Sequence, residues 1–107
     1  MAGESLFVPA LPLGELPAGR VRVVDLAGVR VALCNVDGRV YAVLDACTHD
    51  DEPLGAGALA GHVIECPRHG AQFDVRDGSV VRLPAAVPVR TFPVRVDNGT
   101  ILVQVQE

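Results

Sequence analysis

Three Asp-Gly or Asn-Gly dipeptides, Asp37-Gly38, Asp77-Gly78 and Asn98-Gly99, each stand between β-prone runs. They restrict what this chain can fold into more than any other local signal. A two-residue hairpin turn needs positive φ at both central positions, and Asn, Asp and Gly reach that region most readily. Repeated turn signals of this kind predict antiparallel sheet. The clearest alternation follows, with Phe92, Val94 and Val96 on one face and Ile101, Val103 and Val105 continuing it beyond the turn, which predicts two directly paired strands. Upstream, Arg20 to Leu26, Val29 to Val36 and Arg39 to Leu44 make a second strand group, led in by Pro9, Pro12 and Pro17. A brief helical turn over 11–16 is the one helical signal, and the prolines and Gly14 weaken it. The expected class is all-β.

At 107 residues the chain is the size of one domain. Hydrophobic residues make up 50% but aromatics only 4%, with no Trp, so the core must be built from Val, Leu, Ala and Ile, a composition that favours strands. The net charge is -4 and all nine basic residues are Arg. No basic stripe stands out to neutralise phosphates, which argues against nucleic-acid binding; a basic protein surface is the better match. Met1 to Ser5 lacks the features of a secretory signal, and no apolar run approaches the roughly 20 residues that cross a bilayer. The expectation is a soluble, cytoplasmic protein, monomeric in isolation, without internal repeats or low-complexity segments.

Between the strand groups, Ala46 to Pro88 is richer in Gly, Pro and charge. It reads as a subdomain, about 46–88, inserted into a single domain spanning 1–107. Within it lie two pairs, Cys47-Thr48-His49 and Cys66-Pro67-Arg68-His69, separated by Asp50 to Glu65. Two thiolates and two imidazoles at such spacing imply a bound metal. By spacing alone, a tetrahedral zinc site and a mixed-ligand iron-sulfur centre both remain open. Three cysteines cannot form a fully paired disulfide framework; Cys34, within the run Val29 to Val36, reads as a small buried hydrophobe. His62, on the approach to the second pair, is not needed as a fifth ligand.

The wording of the two pairs, Cys47-Thr48-His49 and Cys66-Pro67-Arg68-His69-Gly70-Ala71-Gln72-Phe73-Asp74, resembles the Rieske ferredoxins. The likeness extends over nearly the whole chain, including Gly78 to Leu83 and Phe92-Pro93-Val94. It implies the Rieske fold, antiparallel sheets in a β-sandwich with an inserted cluster-binding subdomain, and one Rieske-type 2Fe-2S cluster. By the same resemblance Cys47 and Cys66 hold the inner iron, and His49 and His69 hold the outer iron near solvent. Neutral imidazoles leave that iron the easier to reduce. Pro67 stiffens the second ligand loop, Gly70 relieves crowding after His69, and Leu83-Pro84-Ala85-Ala86 matches the family's proline loop over the cluster's remaining side. The function implied is one-electron transfer from a flavin-dependent reductase to a terminal non-haem iron oxygenase, with no catalysis by the chain alone. An oxygenase subunit would need a further site of two His and one carboxylate, and only His62 lies outside the pairs. Two other classes stand beside this one. The small subunit of an assimilatory nitrite reductase has often lost the ligands, so four intact ones count against it. A redox-sensing or iron-sulfur accessory protein is left open by the residues.

High-potential Rieske relatives carry an extra, disulfide-bonded cysteine in each ligand loop and a serine and tyrosine after the second His. Here those places hold Glu52, Arg68, Ala71 and Phe73. Fewer hydrogen-bond donors toward the cluster favour a potential near the lower end of the range of about -150 to +300 mV. Glu52 and Arg68 are either a cross-loop ion pair, worth about 0-1 kcal/mol if exposed, or two solvated charges. Asp50 and Asp51 are either a steering patch for a basic partner or simply a soluble loop. Replacing His69→Cys is expected to abolish the Rieske electron-spin signature, because the ligand asymmetry is lost; a retained signature would show that His69 is not a ligand.

Overall fold

The computed structural model describes residues 6–48 and 53–105. Eleven strands occur among them: β1 (Phe7–Pro12), β2 (Val21–Leu26), β3 (Val29–Val36), β4 (Arg39–Leu44), β5 (Ala58–Ala60), β6 (Val63–Glu65), β7 (Gln72–Asp74), β8 (Val80–Arg82), β9 (Thr91–Phe92), β10 (Val94–Asp97) and β11 (Thr100–Gln104). Two 3-10 turns, Leu13–Glu15 and Leu54–Ala56, are the only helical elements of the described residues. No helix among them is long and apolar enough to cross a membrane.

The strands form three antiparallel sheets, ordered β1-β11-β10, β2-β3-β4-β9 and β5-β6-β7-β8. Sheet β2-β3-β4-β9 is the middle layer. From β3, Val31 and Leu33 enter a core shared with Leu11, Ile101 and Val103, whereas Ala32, Cys34 and Val36 enter a second core shared with Ile64, Phe73 and Val75. Successive side chains on a strand point to opposite faces, and here both faces are covered. This explains why six consecutive residues, Val31 to Val36, are all buried. Strands β5 to β8 pair only with one another. They lie in sequence between β4 and β9, which themselves pair through Ala42↔Phe92 and Val43↔Thr91.

The hairpin signals are realised unequally. Asp37 and Gly38 have φ of 53° and 95°, and Asn98 and Gly99 have 51° and 76°, the positive pair that a type I′ turn requires. Asp77-Gly78 instead sits in a longer loop, 75–79, where Asp74 N–H donates to Ser79 O and the Asp77 carboxylate accepts from Ser79 N–H. A third tight turn was not legible. Ala27-Gly28 also adopts positive φ at both positions, although Ala gives no such signal; the Asp25 carboxylate accepting from Gly28 N–H at 3.0 Å supports it.

One strand lies outside the two expected groups, and one expectation is corrected. The proline-rich lead-in is largely a strand, β1. As the outer member of its sheet it pairs only with β11, and its register shifts between Pro9 and Leu11, so prolines without an N–H are tolerated. Phe92 and Val94 do not belong to one strand. Pro93 interrupts the ladder, and the chain passes from the middle sheet at β9 to the outer sheet at β10. The direct pairing of β10 with β11 is as expected, and Ile101, Val103 and Val105 do face the core. Asn35, buried among apolar residues, is satisfied at both ends of its amide: Nδ2 donates to Leu16 O at 2.7 Å and Oδ1 accepts from Gly38 N–H at 2.8 Å.

Cys34 is fully buried with only a weak, 3.9 Å approach of its thiol to Ala32 O. Burial pushes the thiol up from 9.0 to about 12, because desolvation disfavours the thiolate. An unfolded chain would lose this proton above pH 9, while the folded chain keeps it until about pH 12. The folded state therefore binds more protons in that window, and stability falls as pH rises through it, by up to about 1.4 kcal/mol per pH unit. Below pH 9 the group has no effect on the slope. Cys34→Ala is expected to flatten the decline of stability between pH 9 and 12. Parallel denaturation curves for the two chains across that window would refute the assignment.

Candidate metal centre

Three loops leave the ends of strands and meet over the core between the middle sheet and β5-β8. The first, 45–57, links β4 to β5; the second, 66–71, links β6 to β7; the third, 83–90, links β8 to β9. Cys47 from the first, Cys66 and Ala71 from the second, and Ala85 and Val89 from the third all belong to one buried cluster, together with Cys34, Leu54 and Phe73. Cys47 and Cys66 are 0% and 1% exposed, so the two thiols face an apolar floor and are screened from water. His69 stands exposed on the second loop. His49, Asp50, Asp51 and Glu52 lie outside the described residues, and with them the expected steering patch and the Glu52–Arg68 pair. Among the described residues no three His, Cys, Asp or Glu side chains converge on one point. A two-iron centre does not require that, since each iron takes only two protein ligands.

The second loop is closed by backbone: Cys66 N–H donates to Ala71 O at 2.7 Å, and Gly70 N–H to Cys66 O at 3.1 Å. Gly70 has φ of 78°, a reversal that a side chain would resist. At the base of the loop, Gln72 Nε2 donates to Glu65 Oε1 at 2.7 Å, tying β6 to β7 beside Cys66. The first and third loops are joined where Thr48 Oγ1 donates to Val87 O at 2.6 Å. Ala85, expected within the proline loop, is fully buried beside the thiols, while Leu83 is 74% exposed. His62 is occupied elsewhere: its ring meets Tyr41 edge-on at 5.8 Å, and its carbonyl accepts from Val75 N–H.

Several contributors were not legible in the sequence. Asp45 is buried, accepts from Gly55 N–H at 2.6 Å, and meets Arg30 at 3.3 Å. Gly57 lies so close to the second loop that a Cβ there would overlap the Glu65 carbonyl oxygen. An acid ending the apolar run Val40 to Leu44 was the one available hint; its partners are ten and fifteen residues away. Cys34, well before both pairs in sequence, is brought into the same core because β3 carries it on the face toward the loops.

Residues 7–93 match the family model of the Rieske [2Fe-2S] domain. The chain belongs to that family. Its cofactor is accordingly one Rieske-type 2Fe-2S cluster. The Rieske chain is 33% identical over 100 residues to the ferredoxin component of the naphthalene 1,2-dioxygenase/salicylate 5-hydroxylase systems of Ralstonia sp, covering 94% of this chain and 96% of that one. Its structure superposes on the ferredoxin of carbazole 1,9a-dioxygenase from Nocardioides aromaticivorans IC177 with a TM-score of 0.90, 34% identity, and coverage of 94% and 98%. It also matches a chain in the complex of reduced oxygenase and oxidized ferredoxin in carbazole 1,9a-dioxygenase, with a TM-score of 0.89, 34% identity, and coverage of 92% and 93%.

The contact between Gly57 and Glu65 yields a test of how tightly the first two loops are set. Gly57→Ala forces the loops apart, and overpacking of this kind costs roughly 1–3 kcal/mol. A lower thermal unfolding midpoint and weaker cluster retention are expected. A variant as stable as the parent, with a full complement of iron, would show that the loops have room to separate.

Proposed function

We propose that this protein is a ferredoxin, carrying one electron at a time from a flavin-dependent reductase to a terminal non-haem iron oxygenase in the cytoplasm. The observation that carries the reading is the pairing of two buried thiols with an exposed imidazole on adjoining loops of a Rieske domain. Cys47 and Cys66 would hold one iron and His49 and His69 the other, with the segment of about 46–88 acting as the cluster-holding subdomain. The donor chemistry fits, because thiolates and neutral imidazoles are the two ligand types that a Rieske centre requires. The cluster, when bound, accepts and releases a single electron.

Each neighbouring residue then has a physical task. Water is kept from the thiols by Leu54, Phe73 and Ala85, all fully buried in the same core. The imidazole of His69, exposed on the second loop, gives the electron a short route out. Ala71 and Phe73 are buried and carry no hydroxyl, which withholds hydrogen bonds from the centre and supports a potential low in the Rieske range. That suits a carrier filled by a flavin. His62, held against Tyr41, is the only histidine outside the ligand pairs, so the chain has no second iron site of two His and one carboxylate and performs no bond-making chemistry alone. The named relatives act in oxygenase systems, and one matched structure is a complex with an oxygenase, which favours this role over the nitrite-reductase and accessory readings.

Purified anaerobically, the protein is expected to show the visible and low-temperature spin-resonance spectra of a Rieske centre. It should also pass electrons from a flavoprotein reductase to a terminal oxygenase at the rate of substrate turnover. A colourless protein holding stoichiometric zinc would overturn the cofactor assignment; a normal cluster without turnover would overturn the oxygenase role.

A further inference from the structure

We infer that Asp45 is a positioning residue that closes the first ligand loop as a ring and sets it against the second. The inference rests on the ligand assignment proposed above. Asp45 follows directly on β4, two residues before Cys47, and its side chain is fully buried while that of Arg30 is 61% exposed. Its Oδ1 accepts the Gly55 N–H at 2.6 Å, which joins the two ends of the segment that contains Cys47 and His49. Its Oδ2 meets the Arg30 guanidinium at 3.3 and 3.4 Å, and its own N–H donates to Arg30 O at 3.0 Å. The short bond is therefore to the loop and the long ones are to the arginine. A buried carboxylate that lost the loop contact would keep its desolvation cost without its best donor.

The closure reaches the second ligand loop through glycine. A Cβ at Gly55 would overlap Val23 on β2 and crowd Asp45 Oδ1, and one at Gly57 would overlap the Glu65 carbonyl oxygen. Glu65 immediately precedes Cys66. One buried carboxylate thus holds Gly55 to the middle sheet, and the next turn of chain rests on the backbone that presents Cys66. Joining positions 45 and 55 shortens the span left open between them, and this lowers the entropy lost when the ligands it carries are gathered.

The test compares cluster loss with global unfolding in the intact holoprotein. The wild type must first show a Rieske spin-resonance signal; its absence would sink the ligand assignment itself, independently of any variant. Bleaching by an iron chelator under anaerobic conditions is then timed for the wild type, Asp45→Asn, Asp45→Ala and Arg30→Gln, alongside denaturant unfolding rates. Asp45→Asn keeps a carbonyl oxygen for Gly55 N–H and is expected to retain the cluster within a few-fold of wild type, as is Arg30→Gln. Asp45→Ala lacks the acceptor, and its cluster should be lost about ten- to a hundred-fold faster, as for a hydrogen bond to a charged group, with a smaller change in unfolding rate. Should Asp45→Ala fail to fold, Asp45→Ser, one bond too short to reach Gly55, serves the same comparison. Cluster loss that merely tracks unfolding in every variant, or Asp45→Asn bleaching as fast as the truncated side chains, would overturn the proposal.

Discussion

Val31 and Leu33 point from β3 into one core, and Ala32, Cys34 and Val36 point into the other. A slip of one residue in the pairing of β3 would exchange both sets at once. No compensating face exists, because from Val31 to Val36 neither side of the strand meets solvent. The rest of the structure depends on this. The middle sheet is held in register by two apolar cores simultaneously, and it offers β5-β8 and the three loops above them a rigid wall to pack against. The residues β3 presents to the loops are small or medium in size, and this allows the loops to approach closely.

The loop region has little regular structure with which to stabilise itself. Its strands are three residues long, and strands so short have few ladder hydrogen bonds to contribute. Its order comes instead from close backbone approach and buried polar contacts: Gly57 against Glu65, Gly78 against Val89, Asp45 on Gly55, Thr48 on Val87. Thiols are placed at the floor of this assembly and an imidazole at its surface. For a carrier, that gradient of exposure is useful, since sulfur is protected from water and oxidants while the nitrogen side stays within reach of a partner. Ala71 and Phe73, buried in the same core as Cys47 and Cys66, supply packing through side chains that carry no hydroxyl.

Much was legible before any coordinates. The all-β class, the bounds of β3 and β4, the β10-β11 pairing and the family signalled by the Cys and His pairs all came from short-range patterns. The errors share one origin. Pro9 and Pro12 were read only as a lead-in to the strands, but edge position lets them sit within β1, and edge position is a property of the sheet. Ala27-Gly28 gave no turn signal, and its conformation is imposed by β2 and β3 meeting in register. Phe92 and Val94 satisfied the alternation rule while lying in different sheets.

Residue chemistry and local backbone preference acted within a few positions of each other, and those the sequence determined by itself: hairpins at Asp37-Gly38 and Asn98-Gly99, strands rich in Val, and two closely spaced thiol and imidazole pairs. Tertiary structure alone decided that β3 would be buried on both faces, that Cys34 would join Cys47 and Cys66 in one core, and that Asp45 would find Gly55 and Arg30. Such contacts join residues ten or more positions apart. Their energies depend on which surfaces the sheets exclude from water, and that is settled only when the whole chain has packed.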